Sequence, residues 1–372
     1  MSLDTLMTPA ALVDLDRVER NTRTMAERAH RLGVRLRPHV KTHACVEIAR
    51  LQVQGHFGGV TVSTFAEARR FADAGFTDLT HAVPLAVGRL PEAAELTQRL
   101  ERFSVLVDGP ETVAAIEDCA RERDVRFSVF LKVDCGYHRA GVDPADPDSA
   151  RLAAALAASE HVDFRGLLTH AGHSYHCHDR DEVAVVAAQE RDVIVAFAER
   201  LRADGVTVPE VSVGSTPTCS VVDDLTGVTE IRPGNNVFFD RFQRTIGSCD
   251  DDGPAFFVLT TVIARHSGRR QVLLDAGALA LSKDAGASHV DPDAGYGELQ
   301  DLDGRPLPGL RLHALSQEHG QVEAAPGVEL PAVGQRLRVL PNHSCLSAAC
   351  FRSYQVVRGR EPVAEWDAPR GW

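Results

Sequence analysis

The sequence predicts an α/β protein built as a (β/α)8 TIM-type barrel followed by a C-terminal all-β domain. Three observations carry this reading. Eight short β-rich runs alternate with helical patterns between Val34 and Ile231, the rhythm of a closed parallel barrel. The first of these runs ends in His39-Val40-Lys41, where a doubly wound open sheet would want a glycine-rich turn. After about residue 245 the helical periodicity stops, and strand patterns follow one another across Gly/Pro/Asp-rich turns.

Taken in order, the candidate barrel strands are Val34–Val40, Gly59–Val62, Asp78–Val83, Phe103–Val107, Phe127–Val133, Phe164–Thr169, Glu210–Val213 and Val228–Ile231. Helical stretches fall between them, among them Asp16–Leu32, Ala44–Gln54, Phe65–Ala74, Pro91–Leu100, Pro110–Arg121, Ser149–Ala158 and Asp181–Ala203. Each places apolar residues at helical spacing. The C-terminal strands are Phe256–Arg265, Arg270–Asp275, Leu310–Ser316, Gly334–Leu340 and Ser353–Arg358, with no amphipathic helix expected among them. An early strand, Ala10–Leu15, is expected to join that domain. The organisation is therefore residues 1–19 as an N-terminal segment, 20–245 as the barrel and 246–372 as the β domain.

Composition narrows the function. The 372 residues carry a net charge of −12 with 44% hydrophobic and 25% charged residues, a globular balance that argues against nucleic acid or an anionic membrane surface as partner. No apolar run approaches the roughly 18 residues needed to span a bilayer, and the N-terminus lacks the basic and apolar segments of a signal peptide. A cytoplasmic protein is expected. The eight cysteines are scattered without CxxC pairs, as buried thiols are in such a chain.

A barrel of this kind builds its site from the loops after its strands. After strand one come Lys41, Thr42 and His43, and a lysine flanked by imidazoles and partly desolvated is pushed toward its neutral, nucleophilic form. Strand five leads into Asp134–Gly141, with Asp134 and Arg139 a candidate ion pair, and strand six into His170–His178, with His173, Tyr175 and His176. Strands seven and eight lead into Gly214-Ser215-Thr216 and Arg232–Asn236. The last two are the fold's usual phosphate-binding place, rich in small residues and free N–H groups. A phosphate site facing a loop lysine is what pyridoxal 5′-phosphate requires.

His343 and Cys345 stand two apart after the strand ending at Leu340, where extended backbone would point both to one side. A thiolate beside an imidazole favours Zn2+ over Mn2+ or Mg2+. Two ligands are too few for a closed structural site, so any metal held there would keep positions open for water or substrate. The same pair also fits a buried thiol beside a hydrogen-bonded histidine.

Several runs together resemble the D-threonine aldolase / D-serine dehydratase family, fold-type III relatives of alanine racemase. They are Arg37–His43, Val133–Gly141, Thr169–Tyr175, Val213–Thr218, Arg232–Asp240, Leu273–Gly277, Glu318–Gly320 and Pro341–Cys345, in family order along nearly the whole chain. The resemblance implies that Lys41 carries the cofactor as a Schiff base and removes the α-proton. It also implies that Gly214, Ser215, Thr216, Gly234 and Asn235 hold the phosphate, Arg139 and Tyr175 line the pocket, and His343 and Cys345 hold the metal. A homodimer with active sites near the subunit interface is implied too. The chain departs from the family at Asn236, where a tyrosine is usual. Alanine racemase needs a second base, a tyrosine from the β domain, and Asp275–Lys283 contains none, so a single base acting on D-amino acids is expected.

The expected activity is dehydration and deamination of a D-β-hydroxy amino acid, D-serine or D-threonine, to a 2-oxo acid and ammonia, with zinc stabilising the departing hydroxide. The alternative is aldol cleavage to glycine and an aldehyde, with His173 or His176 as base at the hydroxyl. A non-catalytic carrier of pyridoxal phosphate is a third reading, disfavoured because such a single barrel would lack the β domain and the His343/Cys345 pair.

Overall fold

In the computed structural model, which describes residues 2–372, eight parallel strands follow one another around a barrel. They are Arg35–Leu36, Val60–Val62, Asp78–Pro84, Arg102–Val107, Phe127–Lys132, Val162–Leu168, Glu210–Val213 and Glu230–Ile231. From the second strand on, each pairs with the next in sequence, and the last returns to the first through Arg35 opposite Glu230. The remaining seam, between the first two strands, is closed by a single parallel bridge from His39 to Thr61, where the Thr61 N–H donates to Pro38 O at 2.9 Å.

The first strand is thus far shorter than the expected Val34–Val40. Pro38 lacks an N–H to donate, and the chain turns at Val40–Thr42 into one 3₁₀ turn that carries Lys41. The helix after it is Val46–Val53. The other barrel helices match their expected spans to within two residues at most ends, from Leu15–Arg31 to Arg180–Ala203. Their caps explain the starts: Asp14, Thr64, Asp146 and Asp179 each accept an N–H of the first turn through the side chain, the usual stabilisation of a helix start.

Charge fills the part of the barrel interior that apolar side chains leave open. Arg37 and Glu230 are wholly buried; Arg37 Nε donates to Glu230 Oε2 at 2.8 Å and Nη1 to Asp78 Oδ1 at 2.6 Å. The other Glu230 oxygen accepts from Ser212 at 2.7 Å. Pairing holds the Arg37 guanidinium above its ordinary pKa and the Glu230 carboxyl below its own, against the cost of burial.

The second, mostly antiparallel sheet has nine strands. Its backbone is Phe256–His266, which pairs with Ala10–Asp14, Gln271–Leu274 and Arg336–Leu340. The N-terminal strand lies inside this sheet, antiparallel to Phe256–His266 on one side and parallel to Ser353–Arg358 on the other. Three strands escaped sequence reading: Glu298–Gln300, Gly320–Ala324 and Glu361–Asp367. The last is exposed on alternate residues throughout, so it presents no continuous apolar run. Two short helices, Ala278–Leu281 and Ser344–Ala348, also stand in this domain, where none was expected. The core of the β sheet continues into barrel residues Cys45, Ile48, Val237 and Phe238, which seats it against the loops that carry Lys41 and Asn235.

Candidate active site

A cavity of about 810 Å³ opens at the C-terminal end of the barrel strands, between the barrel and the β domain. Lys41, Arg139, Tyr175, Gly214, Ser215, Thr216, Gly234, Asn235, His343 and Cys345 all line it. These residues come from six separate stretches of sequence. His173 is the exception. It is not among the lining residues; its ring packs behind Tyr137 at 6.3 Å between centroids, with both nitrogens buried and without hydrogen-bond partners. His170 and His176 of the same loop do reach the cavity, because the loop closes into a 3₁₀ turn at Gly172–His176 that sends successive side chains to different sides.

The Lys41 side chain lines the cavity and is exposed to it. Desolvation by the surrounding protein lowers its pKa; Arg139 and Arg232 add to this, while Cys345 and Glu67 oppose it. The flanking imidazoles are not the cause that the sequence suggested. Burial keeps both neutral, His39 well below its usual range and His43 near about 3, and a neutral ring does not repel an ammonium. His43 accepts the Cys45 N–H at Nδ1, 3.0 Å, and pairs with Gln52 through Nε2 at 2.9 Å. It is a buried strut of the turn.

The small-residue loops meet as expected. Ser215 caps the helix Thr216–Val221 in a reciprocal capping box with Thr218. Thr216 Oγ1 accepts the Gly234 and Asn236 N–H groups at 3.3 and 3.2 Å. A Cβ on Gly234 would lie 3.0 Å from both Cβ and O of His39, so only glycine fits between the two loops. Asn236, the departure from the family, is buried with Oδ1 unpaired. Backbone N–H groups, hydroxyls and a glycine cradle at one end, with a lysine of lowered pKa in the same cavity, suit a phosphate-bearing aldehyde cofactor.

Around the other expected pair, His343 Nδ1 hydrogen-bonds Asp284 Oδ2 at 3.1 Å, which leaves Nε2 for another partner. Thr42 Oγ1 lies 3.2 Å from Cys345 Sγ and Asn235 Nδ2 donates to Sγ at 3.4 Å. The chain is not extended here, as the sequence suggested. His343 caps the helix Ser344–Ala348 and Cys345 stands in its first turn. Although burial opposes ionisation, His343, Thr42 and Lys41 bring the thiol down to about 7; Asp284 and the thiol hold the imidazole well above its usual value. A carboxylate-backed imidazole beside an ionisable thiol is a donor set suited to a soft divalent metal. No group of three or more metal-ligating side chains occurs among the described residues.

Tyr175 packs against Phe242 at 5.4 Å and tilts over His343 at 6.5 Å. Burial first, then the Cys345 and Asp240 charges, raise its phenol well above the usual range, so it stays protonated. Arg139 lies over the Tyr137 ring at 5.0 Å. Its expected partner Asp134 is engaged elsewhere, accepting from Gly136 N, His138 N and the His138 ring. Sequence reading missed Lys132, which lines the cavity at 5% exposure with no hydrogen-bonded or ionic partner among the described residues. Burial, Arg232 and Arg139 bring it down to about 7. A charged residue ending the apolar run Phe127–Leu131 was the available signal. Asp284, His289 and Arg370 at the rim gave none.

Residues 13–241 match the alanine racemase N-terminal domain and residues 255–357 a putative serine dehydratase domain. The chain belongs to the D-threonine aldolase / D-serine dehydratase family. It is 41% identical to the D-threo-3-hydroxyaspartate dehydratase of Delftia sp. (strain HT23), over 100% of this chain and 99% of that one. It is 35% identical to the D-serine dehydratase of Dictyostelium discoideum, over 97% and 96%, and 32% identical to the D-threonine aldolase of an Arthrobacter species, over 90% and 85%. The Delftia dehydratase structure superimposes with a TM-score of 0.93, 40% identity and full coverage of both chains. Variants of that dehydratase have been solved with a cysteine replaced by alanine, in the metal-free form, and with a histidine two positions before it replaced by alanine. Like its family, this protein is a pyridoxal-phosphate-dependent lyase. No helix among the described residues is long and apolar enough to cross a membrane.

Proposed function

We propose that this lyase dehydrates D-β-hydroxy amino acids, D-serine and D-threonine first, to a 2-oxo acid and ammonia, with Zn2+ held by His343 and Cys345. The observation that carries the reading is the His343–Cys345 pair, backed by Asp284, in the same cavity as Lys41. The His-x-Cys spacing replaced by alanine in the Delftia enzyme supports it.

Pyridoxal phosphate, when bound, supplies an electron sink for charge at the substrate's α-carbon. Gly214, Ser215, Thr216, Gly234 and Asn235 would hold its phosphate, and Lys41 its aldehyde carbon. A thiolate-bound zinc would supply a Lewis acid for the β-oxygen. Lys41 Nζ, biased toward the free amine, takes the α-proton. Tyr175 keeps its proton and offers it as a hydrogen bond at the His343 side of the cavity. Phe242 and Leu346 line that side and keep water from the reacting carbons. Loss of the α-proton and the β-hydroxyl as water leaves an enamine, whose hydrolysis gives the 2-oxo acid and ammonia. With Lys41 on one face and no tyrosine in Asp275–Lys283 for the other, D-substrates alone are turned over.

Two further readings have specific support. The full-length likeness to the Delftia enzyme favours D-threo-3-hydroxyaspartate as an alternative substrate. The Arthrobacter relative and His176 at the cavity wall favour retro-aldol cleavage. We also propose a homodimer, because Leu279 and Leu346 stand 56% and 45% exposed on the two adjoining helices beside the cavity; sedimentation of the pure protein tests it. Incubation with D-serine, D-threonine and D-threo-3-hydroxyaspartate, assaying 2-oxo acid, ammonia, glycine and aldehyde together, tests the activity. Glycine with an aldehyde and no 2-oxo acid would replace dehydration by the aldolase reading.

A further inference from the structure

The turn that carries Lys41 has few partners of its own. Its three residues, Val40–Thr42, close through Val40 O, which accepts from His43 N at 3.2 Å and Ala44 N at 2.7 Å, and through the His39 ring, which accepts the Lys41 N–H at 3.4 Å. The next three carbonyls are left over, as at any helix end. All three are met by side chains from the far end of the chain. Arg370 Nη1 donates to Lys41 O, Arg370 Nη2 to Thr42 O at 2.9 Å, and Tyr354 Oη to His43 O at 2.7 Å. Arg370 Nη2 also donates to Tyr354 Oη at 3.2 Å, so the two side chains form one clamp. Tyr354 is fully buried in the β-domain core. Arg370 lies on the tail after the last strand, Glu361–Asp367, and lines the cavity.

The tail itself is docked independently of this clamp. Ala368 is buried and its N–H donates to Arg352 O at 2.7 Å. Arg70, on the barrel helix Phe65–Asp73, donates to Asp367 O at 2.9 Å and to Pro369 O at 3.4 Å. Arg370 thus arrives already positioned, and its planar fork matches two adjacent carbonyls as a lysine cannot.

We propose that Arg370 is a positioning residue for Lys41: the C-terminal tail fixes the lysine-bearing turn through one guanidinium. This rests on the reading of Lys41 as the cofactor-bearing lysine. The guanidinium touches the backbone of the turn, so its removal leaves every other lining side chain in place but frees the turn to rotate. A displacement of that kind, small in distance, is costly in rate.

The test compares Arg370→Ala, Arg370→Lys and Arg70→Ala with the unmodified protein, each stripped of cofactor. Capture of added pyridoxal phosphate is followed by visible absorbance, borohydride trapping assigns the labelled peptide, and thermal melting is recorded alongside. Arg370→Ala should slow capture at Lys41 by on the order of tenfold to a hundredfold, and lower kcat for D-serine by a similar factor at little-changed KM. Arg370→Lys should recover part of both. Arg70→Ala loosens the tail without touching the turn and should capture at the unmodified rate. Equal capture by Arg370→Ala and the unmodified protein would overturn the proposal, as would an Arg70→Ala defect as large, which would reduce Arg370 to tail docking. Should Arg370→Ala fail to fold, unmodified capture and kcat in Arg370→Gln, which can reach only one of the two carbonyls, would overturn it equally. Absence of label on Lys41 in the unmodified protein is a different result, since it refutes the assignment of the lysine itself.

Discussion

Glu190 Oε1 accepts the Gly214 N–H at 3.1 Å and the Ala171 N–H at 2.9 Å, while its Oε2 accepts the Thr218 hydroxyl at 2.8 Å. One carboxylate, 2% exposed on the long helix Arg180–Ala203, therefore ties the histidine-rich loop to the small-residue loop. Glu190→Ala would leave two amides unpaired, at about 1–3 kcal/mol for each buried group, and leave the Thr218 hydroxyl only its Ser215 partners. The expected outcome is a melting point lower by several degrees and a weakened affinity for pyridoxal phosphate. Glu190→Gln keeps one acceptor oxygen and should lose less of both. Unchanged cofactor affinity in Glu190→Ala would show that the phosphate loop does not depend on this tie.

Borohydride treatment of the cofactor-loaded protein should label the peptide that contains Lys41. Lys132 is the informative competitor, because it shares the cavity and is also pushed toward neutrality. Lys41→Ala should abolish the label and Lys132→Met should keep it. The reverse pattern would transfer the cofactor to Lys132.

Metal binding to His343 and Cys345 should release protons in a pH-dependent number. In the metal-free protein the thiol is brought down to about 7 and the imidazole is held above its usual value. A metal must displace the proton that the imidazole holds, and below about pH 7 the thiol proton as well. Zinc affinity should therefore fall as pH drops, more steeply below about 7 than above it. Calorimetry in buffers of different ionisation enthalpy measures the release. Cys345→Ala should lose the steeper limb, abolish 2-oxo acid formation and leave cofactor absorbance intact. A retained steep limb would mean that the thiol is not a ligand.

Acid should unfold the protein through its buried histidines. Burial lowers His43 to about 3 and His81 to about 4 in the folded state, from 6.5. The unfolded chain therefore binds more protons below pH 6.5, and folding stability falls as pH drops from there toward 4. Each such histidine contributes a slope of up to about 1.4 kcal/mol per pH unit. Urea midpoints at pH 7, 6, 5 and 4 should fall progressively, and His81→Asn should flatten the curve. A midpoint independent of pH between 6.5 and 4 would count against neutral burial of these rings.

Turnover should be confined to one enantiomer. D-serine should yield pyruvate and ammonia, while L-serine should not react and D-alanine should not racemise. Racemisation of D-alanine would require a second base that neither cavity wall has been assigned.

Much of this architecture is legible in the sequence because its signals are local. Periodicity located the barrel helices, and the loops after the strands gave every assigned cavity residue except His173. That histidine failed because a 3₁₀ turn rotates neighbouring side chains apart, and polar residues in a loop carry no mark of which side they take. The short first strand and the Glu361–Asp367 strand were misread or missed for want of a continuous apolar pattern. Glu190, Asp284 and Arg370 were invisible for another reason. Each acts on a segment distant in sequence, Arg370 across 329 positions to Lys41, and only the folded chain brings the two together.

The placement of Ala10–Asp14 inside the C-terminal sheet has a consequence for how the protein is made. This strand leaves the ribosome well before its hydrogen-bond partners in Phe256–His266 and Ser353–Arg358, which follow hundreds of residues later. At about 5–20 residues per second, its apolar side chains wait on the order of tens of seconds without a sheet to enter. The barrel can form in that interval; the β domain cannot be completed until Ser353–Arg358 has emerged. A segment fused directly before Ala10 would burden that late docking step, and the deficit would show as low yield of folded protein at high expression rates.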